Sequence, residues 1–231
     1  MTDLPSLART RFRKTYRIVR SIYPPIDLFE DIADPGDWEL LAAAEAKTNP
    51  RVRDQIGAIH LVPPERRVSG PGASWVMAAF THISPLRASR FSDGSYGVYY
   101  AARLLKTAVR EVSFHTARFM SATNEEPIAV DLRCYRAAVR RPVHELRGMR
   151  EALPGVYAPD SYADSQRLGA SLRAMASWGA VYESVRDPGG ECVALFRPPA
   201  LGPAVQGQHI TLLWDGAKIG SWYVKSDLRR L

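Results

Sequence analysis

The sequence lacks the features of several common functional classes. It has only two cysteines, Cys134 and Cys192, and no clustered cysteines and histidines, so neither a disulfide framework nor a metal site is expected. Both lie in β-like runs and are predicted to be reduced core residues. No run approaches the roughly 18 apolar residues of a membrane span. The N-terminal residues lack the apolar centre of a secretory signal, so we expect a cytoplasmic protein.

Glycine-rich nucleotide motifs are also missing. Gly94 and Gly97 do not make the GxGxxG of dinucleotide-binding folds, and no P-loop is present. Because those backbone cradles position a nicotinamide cofactor or a nucleotide phosphate, hydride transfer is a poor interpretation.

Lysine is scarce, although the chain is basic. It occurs at only five positions, while the formal net charge is +7, so arginine carries most of the positive charge. Such a charge predicts an anionic partner: nucleic acid, a phosphorylated small molecule or an acidic protein. The arginines are scattered, and there is no zinc-finger spacing, RNP-like strand or basic zipper. Direct nucleic-acid binding is therefore not expected.

Short strands and helices are mixed along the chain, which predicts an α+β fold. With 231 residues and 46% hydrophobic residues, one domain with a sizeable core is expected. Periodicity and turn residues predict strands at 15–19, 97–101 and 128–134 and hairpins within 180–198 and 208–224. They also predict helices at 38–47, 51–56 and 74–80, from 104 and from 161, and a proline-bounded loop through 141–159.

The stretch 89–111 combines an arginine, a tight turn, an aromatic strand and a helix. Arg90 precedes the turn, and Glu111 falls on the margin of the apolar helix face, where a charge is costly to bury. Two interpretations are open for Glu111. It is either an edge carboxylate paired with Arg110 or another arginine, or a carboxylate that faces a cationic reaction intermediate.

This stretch resembles the central motif of the RES-domain family, the toxin half of bacterial Xre–RES toxin–antitoxin pairs. Arg90, Tyr100 and Glu111 fall on the arginine, tyrosine and glutamate of that motif. Arg17 matches the family's first-strand arginine, and Ser184 falls on the serine carried by a later hairpin. Residues 89 and 92 are both serine, where the family often has glycine and asparagine, so the resemblance does not fix the exact turn geometry.

The resemblance implies a fold like that of ADP-ribosyltransferases, with two small β-sheets around an NAD⁺-binding cleft. It implies one RES domain over residues 1–231, with a helical insertion at about 29–85. It further implies that the protein consumes NAD⁺ as a substrate, needs no metal and is held inactive by an Xre-type antitoxin. The acceptor of ADP-ribose stays open between water, phosphate and a protein side chain.

The resemblance also assigns roles to residues. Glu111, with Arg17 and Ser184, forms the implied catalytic set, in which the carboxylate stabilises an oxocarbenium-like centre. Arg17 and Arg90 would clamp phosphate or ribose oxygens, and Tyr100 would pack on the nicotinamide ring. Ser184 would bond the nicotinamide or orient Glu111. The alternatives are a non-catalytic regulatory protein of the same fold and a basic nucleic-acid-binding protein.

Overall fold

The computed structural model describes residues 5–10, 12–22, 34, 36–40, 43, 57–85 and 88–225. Its helices are α1 (Ala73–Thr81), α2 (Leu105–Ala122) and α3 (Ala163–Ala174). Its strands are β1 (Leu7–Ala8), β2 (Thr15–Arg20), β3 (Tyr99–Ala102), β4 (Ile128–Ala137), β5 (Val143–Glu145), β6 (Gly179–Glu183), β7 (Glu191–Leu195), β8 (Val205–Trp214) and β9 (Ile219–Val224). The α+β class is confirmed.

The nine strands form one sheet in the order β1-β5-β6-β7-β3-β2-β4-β8-β9. Strands β5 and β6 are parallel, and the other neighbours are antiparallel. At the centre, β2 and β3 pair only at Tyr16 and Ala102. The two small sheets expected from the resemblance are therefore the two halves of a single sheet, joined at this one position.

The two faces of the sheet centre carry different groups. Side chains alternate along a strand, so Tyr16 and Ile18 point one way and Arg17 the other. Tyr16 and Ile18 pack with the buried residues of α2. Arg17 stacks on the ring of Tyr99 at 4.8 Å, and Tyr99 belongs to the core cluster that contains α1. Helix α1 therefore covers one face of the central strands, and α2 covers the opposite face.

Three sequence expectations need correction or qualification. Strand β5, paired with β1, lies inside the region expected to be a loop, because strands of two or three residues are too short to show a period. A helical period from 161 places Met175 on the inward face with Leu168 and Leu172, but Met175 is 49% exposed, since α3 ends at Ala174. The helix expected at 51–56 and most of the one at 38–47 lie outside the described residues.

The expectations for α1, the final hairpin and the two cysteines are confirmed. Helix α1 covers the predicted 74–80, and the final hairpin turns at Asp215, whose backbone N–H donates to the Lys218 carbonyl over 3.1 Å. Cys134 and Cys192 are free and buried. Within the described part of the chain, no helix has the length and apolar character needed to cross a bilayer.

Candidate active site

Glu111 and Ser184 meet where α2 packs beside the turn between β6 and β7. The Ser184 hydroxyl donates to Glu111 Oε1 over 2.6 Å, and Ser184 is only 2% exposed. The same Oγ accepts from the backbone N–H groups of Arg186 (3.1 Å) and Asp187 (2.8 Å). A serine hydroxyl has one proton and two lone pairs, so the two N–H donors leave that proton for Glu111. Ser184 therefore orients the Glu111 carboxylate.

The turn that carries Ser184 is fixed to α2 by a second contact. Thr107 Oγ1 donates to Asp187 Oδ2 over 2.8 Å, and Arg110 Nε lies 3.4 Å from Asp187 Oδ1. Arg110 is therefore the partner of Asp187 and not of Glu111. Among the residues that the structure describes, Glu111 has no ion pair. The interpretation of Glu111 as an edge carboxylate paired with a neighbouring arginine is not what the structure shows.

We expect Thr107→Val to destabilise the protein by about 1–3 kcal/mol, because it leaves the buried Asp187 Oδ2 without a hydrogen-bond donor while conserving volume. Thr107 is fully buried and Asp187 is 8% exposed. Urea denaturation measures the effect, with Thr123→Val as the matched control, since the Thr123 hydroxyl makes an exposed bond to the Phe119 carbonyl. Equal stability of the two variants would show that the Thr107–Asp187 contact does not hold the turn.

Arg90 is held by main-chain carbonyls. Its Nη1 donates to the carbonyls of Val156 (2.8 Å) and Ala158 (3.1 Å). Its guanidinium carbon lies 4.9 Å from the centre of the Tyr162 ring. These contacts set the direction of the planar group, as a residue that binds an anion bidentately requires.

Tyr100 fixes the turn that carries Arg90. Its hydroxyl accepts from the Phe91 backbone N–H over 2.8 Å and lies 2.9 Å from Ser89 Oγ. Burial raises the pKa of Tyr100, so the phenol stays neutral at physiological pH. Ser89, which replaces the glycine common in the RES motif, therefore adds a hydrogen bond to Tyr100.

The charges of Glu111 and Arg90 both influence the pKa values of two neighbouring side chains, Tyr182 and His115. Burial raises the pKa of Tyr182, the charge of Glu111 raises it further and the charge of Arg90 opposes this. The pKa of His115 is lowered, first by desolvation, with Arg186 and Arg90 adding to the effect and Glu111 opposing it. Glu111 and Arg90 thus act on the same two side chains, and the four groups occupy one region.

Arg17 does not lie in the region shared by Glu111 and Arg90 but in the wall of a cavity. It lines a cavity of about 720 Å³ together with Tyr100, Ser89, Tyr96 and His82. Its Nη1 donates to the Tyr100 carbonyl over 3.2 Å, and burial lowers its pKa. No carboxylate of the described residues forms an ion pair with it. A partly buried cation of this kind is suited to an anionic ligand.

The structure therefore brings Glu111, Ser184, Arg90 and Tyr100 into one region. Arg17 lies beside that region, in the wall of the cavity. Of the described residues, Glu111, Ser184 and Arg90 do not line the 720 Å³ cavity, whereas Tyr100 does. Tyr100 connects the two regions, because its carbonyl accepts from Arg17 and its hydroxyl fixes the Arg90 turn.

Two further arginines near the Glu111–Ser184 pair were not assigned roles from the sequence. The Arg186 guanidinium stacks on the Phe114 ring at 3.3 Å and donates to the Pro159 carbonyl. Arg150 Nη2 donates to the Ser184 carbonyl over 3.2 Å. Only the position of Arg186, two residues after Ser184, could have indicated such a contact.

The chain belongs to the RES domain family, whose model matches residues 64–215. Arg17 precedes the matched residues. The chain is 28% identical over 214 residues to the uncharacterized protein y4oC of Sinorhizobium fredii (strain NBRC 101917 / NGR234), covering 92% of this chain and 87% of that protein. Among solved structures it is similar to a chain of the M. tuberculosis MbcT–MbcA toxin–antitoxin complex, with a TM-score of 0.43, 11% identity and coverage of 93% of this chain and 87% of that one.

Proposed function

We propose that this protein is the toxin of a toxin–antitoxin pair and that it consumes NAD⁺ by cleaving the bond between nicotinamide and ribose. The observation that carries the proposal is the 2.6 Å bond from the buried Ser184 hydroxyl to Glu111. This bond holds a carboxylate in a region rich in arginine, at the motif position where the RES family carries its glutamate. Membership of the RES family supports the same function.

The chemistry needs one well-placed negative charge. When the C–N glycosidic bond of NAD⁺ breaks, its electron pair leaves with nicotinamide, which becomes neutral, and positive charge develops on the ribose ring. The Glu111 carboxylate stabilises that charge, as carboxylates do in glycoside hydrolysis. Ser184 binds only Oε1, and in the described part of the chain Oε2 has no hydrogen-bond partner, so it is available to the ribose. The acceptor then attacks C1″ and forms the new bond, and the proton it carried is released to solvent.

The arginines supply the complementary charge for the diphosphate. Arg90 has its plane set by two carbonyls and the Tyr162 ring, and Arg17 is a partly buried cation at the wall of the cavity. Guanidinium groups match phosphate oxygens with paired hydrogen bonds. In this proposal Arg17 and Arg90 bind phosphate or ribose oxygens of NAD⁺, the Glu111–Ser184 pair faces the ribose, and the Tyr100 ring packs on nicotinamide.

Partner and acceptor follow from the same proposal. A toxin must be held inactive, and an Xre-type antitoxin with acidic groups would cover the arginines of the site.

We propose one RES domain over residues 1–231 with an insertion at about 29–85. Part of that insertion, residues 78–79 and 81–84, lies at the wall of the cavity, where it can contact an acceptor. The acceptor is water, phosphate or a protein side chain.

Conservative arginine variants test the proposed binding mode. Arg17→Lys and Arg90→Lys keep the charge but lose the planar fork, so each should weaken NAD⁺ binding or turnover by about tenfold. Arg140→Lys is the control, because Arg140 is exposed. Steady-state nicotinamide release over a range of NAD⁺ concentrations separates KM from kcat. If lysine is tolerated at 17 and 90 as well as at 140, these arginines are ordinary solvated charges.

A further inference from the structure

Three arginines from distant parts of the chain converge on a second, smaller cavity. Arg66 ends a short 3-10 turn (Pro64–Arg66), Arg173 lies in the last turn of α3, and Arg197 follows β7. All three line a cavity of about 40 Å³. A cavity needs about 10–15 Å³ to hold one water molecule, so this space is large enough for one small oxyanion.

Arg197, the most buried of the three arginines, has a hydrogen-bond donor without a partner. Arg197 is only 8% exposed, and its Nε is buried without a hydrogen-bond partner. Its Nη2 makes one long bond, 3.4 Å, to the Arg173 carbonyl. Buried donors in native proteins are nearly always paired, so an unpaired guanidinium N–H indicates a partner that binds from solution.

The positive charges around the cavity indicate that this partner is an anion. Desolvation lowers the pKa of Arg197, and the charges of Arg66 and Arg173 lower it further. None of the three forms an ion pair with a carboxylate of the described residues. Three like charges that face one cavity repel each other, and only an anion relieves both the repulsion and the unpaired donor.

We propose that Arg66, Arg173 and Arg197 form a binding site for a phosphate group, separate from the Glu111–Ser184 pair. Tyr96 and Gly97 line both this cavity and the larger one, so the phosphate site adjoins the region assigned to NAD⁺. The Arg173 guanidinium stacks on the Tyr96 ring at 4.6 Å. The phosphate is either free inorganic phosphate or the terminal phosphate of a nucleotide.

A titration of inorganic phosphate into the full chain at constant ionic strength tests the site. The informative variant is R66Q/R173Q, because Arg173 is exposed and Arg66 half-buried, whereas the buried Arg197 is left in place. The matched control is R140Q/R167Q, which removes the same charge from exposed positions, one of them on α3. We expect phosphate affinity to fall at least about tenfold in R66Q/R173Q and to change little in the control.

Thermal unfolding gives a second readout that a purely structural role would not produce. Without phosphate, R66Q/R173Q should be at least as stable as the wild type, because a like-charge repulsion has been removed. With saturating phosphate, the melting temperature of the wild type should rise by about 2–4 °C and that of R66Q/R173Q should not.

Comparing inorganic phosphate with AMP identifies the source of the phosphate. Tighter binding of AMP that is lost in R66Q/R173Q indicates a nucleotide phosphate, and equal binding of the two indicates the free anion. The proposal is overturned if the wild type shows no saturable phosphate binding, if R66Q/R173Q binds phosphate as the wild type does, or if both double variants lose binding equally.

Discussion

Glu111→Gln should lower NAD⁺ turnover by at least about 100-fold, the usual effect of removing one electrostatic contact to a transition state. Glutamine keeps the shape of the side chain, and its amide oxygen can still accept the hydrogen bond from Ser184. What it removes is the negative charge that faces the developing oxocarbenium ion. The half-buried position of Glu111 on α2 tolerates the neutral side chain, so the fold should survive.

Nicotinamide release measured by chromatography quantifies the loss, and a circular-dichroism melt confirms that the variant is folded. Glu125→Gln is the matched control, since Glu125 is exposed just beyond the end of α2. We expect this control to retain wild-type turnover. A folded Glu111→Gln protein that releases nicotinamide at a near-normal rate would refute the role given to this carboxylate.

Expression of the protein alone in bacterial cells should stop growth, because loss of NAD⁺ or modification of an essential protein affects the whole cell. Cellular NAD⁺ should fall, or a discrete protein should become ADP-ribosylated. Glu111→Gln should remove the effect, and co-expression of the cognate antitoxin should reverse it. Growth curves together with NAD⁺ assays on cell extracts measure both effects.

The control for this experiment is the amount of soluble protein, because a variant that accumulates poorly would also be harmless. Immunoblots must therefore show equal soluble levels of the wild type and Glu111→Gln. If the soluble, folded wild-type protein is harmless and cellular NAD⁺ is unchanged, the toxin assignment fails. The alternative of a regulatory protein without catalysis would then be favoured.

Much of the Glu111 site could be predicted from the sequence, because its parts are local. The change from a strand period to a helical period predicted α2 and placed Glu111 at the margin of its apolar face. The contact between Glu111 and Ser184 joins residues that are 73 positions apart, and only the family resemblance connected them. That Ser184 orients the carboxylate follows from two backbone N–H donors, which no side-chain pattern encodes.

Other features depend on long-range packing and could not be predicted in this way. Alternation in β2 separated Arg17 from Tyr16 and Ile18, but it does not say which face α2 would cover. The structure places Arg17 on the α1 face, beside the 720 Å³ cavity. The cluster of Arg66, Arg173 and Arg197 has no recognisable spacing, because its members come from three separate elements.

The most direct test is to incubate the purified protein with NAD⁺ that is radiolabelled in its adenine moiety, with and without cell lysate, and to separate the products. We expect nicotinamide to be released in proportion to enzyme and time. The label should move to ADP-ribose, to its 1″-phosphate or to a discrete protein band, and each product identifies one acceptor. If the folded protein leaves NAD⁺ intact under all of these conditions, the central claim of NAD⁺ consumption is contradicted.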